Sequence, residues 1–485
     1  MALGRVRIPV PPTVFITFLL SLVLVYAVYL ISPQMAQGPI LVVGALLVIT
    51  IAFTNVELSL YLLILMTLLS PEITFGGASK AELAAGLVTT TESRGITLRL
   101  DDIMLSLICL TWMFRMAIDK ELGFLRRTPI NRPLIWYWSI SVVATILGSF
   151  DGKIGIYGAF FLLKYLEYFL LFFMIINHLH DEDTIRRFLA TMLLTCVLAS
   201  IVGIAQIPSG ERVSAPFEGE EGEPNTFGGY LMLMFSVMLG MFLHTPRRSR
   251  MLKLGVMMAI VIVPFMYTES RSSYLSMAVS ILCFLIFSHY KRLLFSMLAI
   301  GLLLAPAVVP KNMVDRIMFT FTQKQQEGQL KVGDLKIDTS TSERLMAWYK
   351  VITVEFPNHP LLGVGVTGGE FMDAQYPRVL SETGLLGFSA FLWLLRRFWV
   401  LLRRCYHRIR DEELRGAALG TLCGYAGLLV HAIGANTFII VRIMEPFMIL
   451  MGLLLAALLI EEQAAGPREQ APSPSTASRM EAVAA

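Results

Sequence analysis

Runs of roughly 16–22 residues almost free of charge recur along this chain, and each, wound as a helix, is about long enough to span the hydrocarbon core of a bilayer. Examples lie at 14–31, 103–118, 133–147, 188–207, 251–267, 273–287 and 293–309. Inside hydrocarbon every backbone amide must find its partner within its own segment, so such runs read as transmembrane helices. Charged residues make up only 16% of the 485 residues and hydrophobic ones 55%, whereas soluble proteins carry about 25% charged residues. The class to expect is an all-α polytopic membrane protein.

Fourteen spans are expected (range twelve to fourteen), near 13–31, 39–54, 57–70, 101–118, 133–149, 157–177, 188–207, 226–244, 252–268, 273–288, 293–309, 383–401, 416–438 and 445–460. Basic clusters fall in alternate connections: Arg126, Arg127 and Arg132; Arg186 and Arg187; Arg247, Arg248 and Arg250; Lys291 and Arg292; Arg403, Arg404, Arg408 and Arg410. With an even number of spans, the excess of Lys and Arg on the inner side puts all five clusters and both termini in the cytoplasm. Residues 1–309 then hold eleven spans and 310–382 form one long outer loop with short helices. Residues 383–463 hold the last three spans, and 464–485, rich in Ala, Pro, Ser and Glu, are expected to be disordered.

Arg5 and Arg7 precede an apolar run too long for a signal core, with no A-x-A-like site after it, so the first segment is expected to stay as a helix. The region 71–100 is expected to hold an interfacial segment. Arg396 and Arg397 are expected to snorkel to the inner surface, with their helix continuing beyond. No internal repeat is visible, so the inverted-repeat signature of many secondary transporters is missing. None of the five cysteines lies in the long outer loop, so neither a disulfide framework nor a metal cluster is expected, and nothing points to a nucleic-acid partner.

Ionisable residues in or beside the membrane are costly to place and are the first candidates for function. Lys164 and Glu167 share a helix face in the sixth span, either as a neutralised structural pair or as part of a site. Arg271 sits at the outer joint of the ninth and tenth spans, among Glu269, Ser270, Ser272 and Ser273. One reading is snorkelling; the other is a polar helix entrance suited to an anion. Arg212, Arg271, Arg344 and Arg378 all fall on the outer side. Guanidinium groups bind phosphate through a planar two-pronged fork, so converging arginines point to a phosphorylated ligand.

In the outer loop, S-E-R-L-M-A-W-Y-K-V-I at 342–352 has helical spacing, with Leu345, Trp348 and Ile352 on one face. N-H-P-L-L-G-V-G-V-T-G-G at 358–369 is turn-rich, with a backbone open to close approach by a ligand. It lacks the Lys-Ser/Thr of a nucleotide loop, and His359 reads as a turn residue. Glu382, near the outer end of the next span, is either a cap or a general base. The acidic run 218–223 reads as a solvated loop, and His178 and His180 lack further ligands at zinc spacing.

Taken in order, several of these segments resemble the O-antigen ligase and O-antigen polymerase superfamily of bacterial cell-surface glycan enzymes. They are L-R-L-D-D-I at 98–103, K-Y-L-E-Y at 164–168, R-V-S-A-P-F…P-N-T-F-G-G-Y-L at 212–231 and E-S-R-S-S-Y-L at 269–275. The S-E-R-L-M-A-W helix, N-H-P-L-L-G-V-G and Y-x-x-x-L-S-E-T-G-L-L-G at 376–387 complete the series. The resemblance implies a GT-C-like glycosyltransferase of the inner membrane, independent of metal and cofactor, working at the periplasmic face on glycans linked to undecaprenyl diphosphate. It further implies membrane lipid as surroundings, and a flippase and a chain-length regulator as partners.

By position, Arg212, Arg271 and Arg344 match family arginines expected to bind the diphosphate. The wider ligand-binding set is Arg212, Asn225, Arg271, Arg344, Tyr376 and Arg378, with Lys164 and Glu167; Asp373, Glu382 and Arg271 are the catalytic candidates. Departure of a lipid diphosphate builds negative charge that fixed guanidinium groups stabilise, and the acceptor hydroxyl needs a base. Ligases of the family show His-Asn-x-Tyr before the Gly-Leu-Leu-Gly helix, where this chain has Asp373-Ala374-Gln375-Tyr376. That departure favours a polymerase of polysaccharide repeats over a ligase. A flippase for lipid-linked sugars is the rival of another class, and it would spread charges through the bilayer depth.

Overall fold

The structure is a computed structural model, and it describes residues 50–51, 55–70, 72–75, 96–119, 127–150, 154, 156–216, 223–322, 331–332, 335–336, 339–370 and 372–464. The first expected span, most of the second, the acidic run short of Glu223 and the expected disordered tail lie outside the described residues.

A helix stands at each expected span from the third onward. These are α1 (Val56–Leu69), α2 (Leu100–Asp119), α3 (Asn131–Phe150), α4 (Ile156–His178), α5 (Glu182–Gln206), α6 (Pro224–His244), α7 (Arg248–Tyr267), α8 (Arg271–Phe287) and α9 (Lys291–Val308). Between α1 and α2 the expected interfacial segment contains an antiparallel ladder, β1 (Glu72–Phe75) against β2 (Ile96–Arg99). The expected outer loop contains α10 (Lys311–Thr322), a short ladder of β3 (Lys331–Val332) with β4 (Leu335–Lys336), and α11 (Thr339–Lys350). The chain then runs into α12 (Gln375–Arg408), α13 (Glu412–His431) and α14 (Val441–Ala464). Among the described residues seven helices, α3 to α7, α12 and α14, are long and apolar enough to cross a membrane; α1 and α8 are apolar but shorter. The protein is a multi-pass helical membrane protein.

Polar residues set several helix starts. Asp181, Ser270 and Asp411 each accept from the backbone N–H three residues on, giving an otherwise orphaned donor a partner. Inside the bundle, α6 and α14 are the most enclosed helices. Helix α13 packs against α6 and α8. Its contact with α6 is made by glycines: a Cβ on Gly240 would lie 2.3 Å from the Gly416 carbonyl oxygen, and one on Gly420 would lie 2.4 Å from that of Ser236. Lipid offers no hydrophobic drive for helix association, so such backbone-to-backbone packing supplies the attraction.

The structure differs from expectation in two places. The twelfth span, expected at 383–401, starts earlier: α12 begins at Gln375 and breaks once at Gly384 (φ 61°, ψ −164°), then continues past Arg396 and Arg397 to Arg408, as expected. The glycine-rich segment, expected to offer its backbone to a ligand, closes on its own chain at that break. Val364 N donates to Ser381 O at 2.9 Å, Gly365 N to Glu382 O at 2.9 Å, and Leu385 N to Pro360 O at 2.9 Å. A helix break frees backbone groups that need partners, and the glycine segment provides them. The fit is close enough that a Cβ on Gly363 would lie 2.3 Å from Ser381 O.

Candidate active site

Helix α7 ends and α8 begins within three residues, at the end of α7 opposite its basic start. The turn is made by Glu269, which adopts a positive φ of 49°, a costly conformation for a residue with a side chain. Arg212 holds it: its Nε donates to Thr268 O at 3.1 Å and its Nη2 to Glu269 O at 3.2 Å. Burial holds this guanidinium below its ordinary range. The like charges of Arg316 and Arg271 push the same way, against Glu269 and Tyr274. Arg212 thus feels two like charges at this joint, which an anion placed there would offset.

Asn225 reaches the same joint from the first turn of α6, where its Oδ1 accepts from Ser270 Oγ at 2.7 Å. Arg271 opens α8 directly after the Ser270 cap. Arg344 comes in from α11. A Cβ on Gly434 would lie 2.5 Å from Ser272 Oγ and 3.6 Å from Arg344 Cζ, so this glycine makes room for Ser272 and has the Arg344 guanidinium beside the same point, near the start of α8. Its Nη2 lies 3.4 Å from Asp373 Oδ2, and Asp373 is 47% exposed. Arg212, Asn225, Arg271, Arg344 and Asp373 are thus brought together.

The remaining expected residues are placed elsewhere. Arg378 Nε donates to Glu382 Oε1 at 2.9 Å, which also accepts from Thr367 N at 3.2 Å. Glu382 lies inside α12, whose cap is Ala374, and is only 5% exposed, so it neither caps the helix nor opens to solvent; it fastens the glycine segment. Tyr376 donates its hydroxyl to Leu429 O at 2.7 Å, tying α12 to α13. Lys164 pairs with Asp102 at 2.9 Å across to α2, where a pair with Glu167 on its own helix was one expectation. Spacing along the helix could not show this second carboxylate, because Asp102 belongs to another element.

Around Lys164 lies a buried polar group that the sequence reading did not assemble. Asp101 receives Arg99 Nε at 3.0 Å and Ser70 Oγ at 2.6 Å. Asp101, Asp102 and Glu445 offer oxygens within 4.8 Å of one another, with Arg99 and Lys164 paired to two of the three. Glu445 and Arg442 in R-I-M-E were detectable as charges opening the last span, and His431 as a lone histidine ending the one before.

Residues 263–392 match a family model described as O-antigen ligase, a segment that runs from the end of α7 through the joint, α8 to α11 and the glycine seam into α12. A search of curated proteins found no match.

Proposed function

Starting from that O-antigen ligase match, which supports membership of the O-antigen ligase and polymerase superfamily of glycosyltransferase-like membrane enzymes, we propose that the chain polymerises lipid-linked polysaccharide repeat units. It takes the growing glycan from undecaprenyl diphosphate and joins it to a sugar hydroxyl of a second lipid-linked unit, at the periplasmic face. The observation that carries the reading is the convergence of Arg212, Asn225, Arg271 and Arg344 on the α7–α8 joint, with Asp373 beside Arg344.

In this reading the diphosphate sits among the three arginines. The acceptor oxygen attacks the anomeric carbon while the bond from that carbon to the phosphate oxygen breaks. The diphosphate leaves with the bonding pair, and its charge is met by guanidinium groups already in place. Arg344, which pairs with Asp373 in the structure, turns to the incoming diphosphate. Asp373 is then released to take the proton of the acceptor hydroxyl. Glu382 is held back from the reaction by its latch role, so Asp373 is the better base.

A ligase that delivers the glycan to lipid A core or another acceptor is the second reading, favoured by the description of the matching family model. Aspartate in place of the ligase histidine at position 373 supports the polymerase. The test is to incubate purified protein with its native lipid-linked repeat unit and resolve products by length. A ladder of extended chains, lost with Arg271→Ala, is expected; no extension, or extension indifferent to that change, overturns the proposal. Deletion separates the two readings: loss of a polymerase leaves single repeats on the final acceptor, whereas loss of a ligase strands long chains on the lipid carrier.

A further inference from the structure

Behind the arginine cluster runs a chain of side-chain hydrogen bonds through three helices, α13, α8 and α6, and the turn after α13. Thr437 Oγ1 meets His431 Nδ1 at 2.8 Å, and His431 Nε2 meets Ser273 Oγ at 3.2 Å. Ser273 Oγ meets Ser270 Oγ at 2.8 Å, and Ser270 Oγ meets Asn225 Oδ1 at 2.7 Å. The carboxamide oxygen only accepts, so Ser270 donates to it. With that proton committed, Ser270 accepts from Ser273, and Ser273 in turn accepts from an N–H on His431 Nε2. The ring then has its Nδ1 lone pair facing the Thr437 hydroxyl.

The helices are shaped around this chain. A Cβ on Gly228 would lie 2.4 Å from Ser273 Oγ, and one on Gly229 would lie 3.0 Å from His431 Cε1. The two glycines that follow Asn225 along α6 therefore make room for the serine and the ring. His431 and Ser273 are both fully enclosed, which prevents water from replacing either bond.

We propose that His431 is a positioning residue for Asn225. Acting through Ser273 and Ser270, it holds the side-chain amide oxygen of Asn225 inward. The Asn225 Nδ2 group, which meets no protein acceptor among the described residues, is left as a double donor beside Arg271 and Arg344 for an oxygen of the bound diphosphate or its sugar. The inference rests on the proposed function for the identity of that ligand.

The test measures binding of undecaprenyl diphosphate to the purified full chain in lipid nanodiscs. Asn225→Ala and His431→Leu are each expected to weaken binding about tenfold, as loss of one hydrogen bond to a charged group does. The double variant is expected to be no weaker than either single one, because both remove the same donor. His431→Gln, whose amide nitrogen lies where Nε2 does, is expected to restore most of the affinity. Ser273→Ala breaks the chain at another point and serves if the His431→Leu protein does not fold, with folding judged from its thermal unfolding midpoint. Wild-type affinity in a folded His431→Leu or Ser273→Ala protein, or losses that multiply to about a hundredfold in the double variant, overturns the inference. If Asn225→Ala weakens binding and His431→Leu does not, only the positioning role falls. If the unmodified protein does not retain undecaprenyl diphosphate, the functional reading falls and takes the inference with it.

Discussion

Arg344 pairs with Asp373 in the structure, and the proposed reaction asks it to meet an anion as well. A guanidinium can face both with its planar fork, while an ammonium offers a compact point charge. Arg344→Ala is expected to lower kcat/KM about a hundredfold, on the scale of removing one donor to a developing oxyanion. Arg344→Lys is expected to recover only part of this; full recovery, measured by chain extension with a lipid-linked repeat unit, would mean that charge alone is required. Arg212, Arg271 and Arg344 were readable from sequence because each is an arginine in a polar motif at a predicted outer surface. The partners were not: Asp102 lies 62 positions before Lys164, and no local spacing connects them. His431 escaped for another reason. A single histidine at the end of an apolar helix looks the same whether or not serines of another helix meet it.

At the scale of elements, the stretch between α11 and α12 is organised by the break in α12. Gly384 and Gly363 let two backbones touch, and the Arg378–Glu382 pair seals the contact at 11% and 7% side-chain exposure. Removing one partner of a buried pair leaves the other charge uncompensated, at a cost of about 3–5 kcal/mol; replacing both by apolar residues of like size is close to neutral. Arg378→Met alone is therefore expected to lower the thermal unfolding midpoint strongly, and Arg378→Met with Glu382→Leu to restore it. If the double variant is no better than the single, the pair serves more than packing, and Glu382 returns as a candidate for the reaction. The helices themselves were legible in the apolar runs and their caps. The seam was not, because its glycines signalled backbone freedom without saying which backbone would come close.

For the whole molecule, the basic clusters fix the expected orientation: the ends of α7 and α12 that carry Arg247 to Arg250 and Arg403 to Arg408 lie inside, and the α7–α8 joint outside. All five native cysteines are buried, so single cysteines added at exposed positions report on topology with little background. Glu211→Cys and Glu343→Cys, in the outer region, are expected to react with a membrane-impermeant maleimide on intact cells. Arg248→Cys and Lys291→Cys are expected to react only after permeabilisation, and the reverse pattern would invert the protein and move the arginine cluster to the cytoplasm. The glycine contact between α6 and α13 acts in such a molecule as a fulcrum. Gly240 lies 15 residues from Asn225 along α6, a lever arm of roughly 22 Å at 1.5 Å per residue. A tilt of about 5° at that fulcrum would swing the far end by about 2 Å over such an arm, enough to part a hydrogen bond. The inner end of the bundle thereby becomes a place from which the outer site can be mistuned, by changes that touch none of its residues.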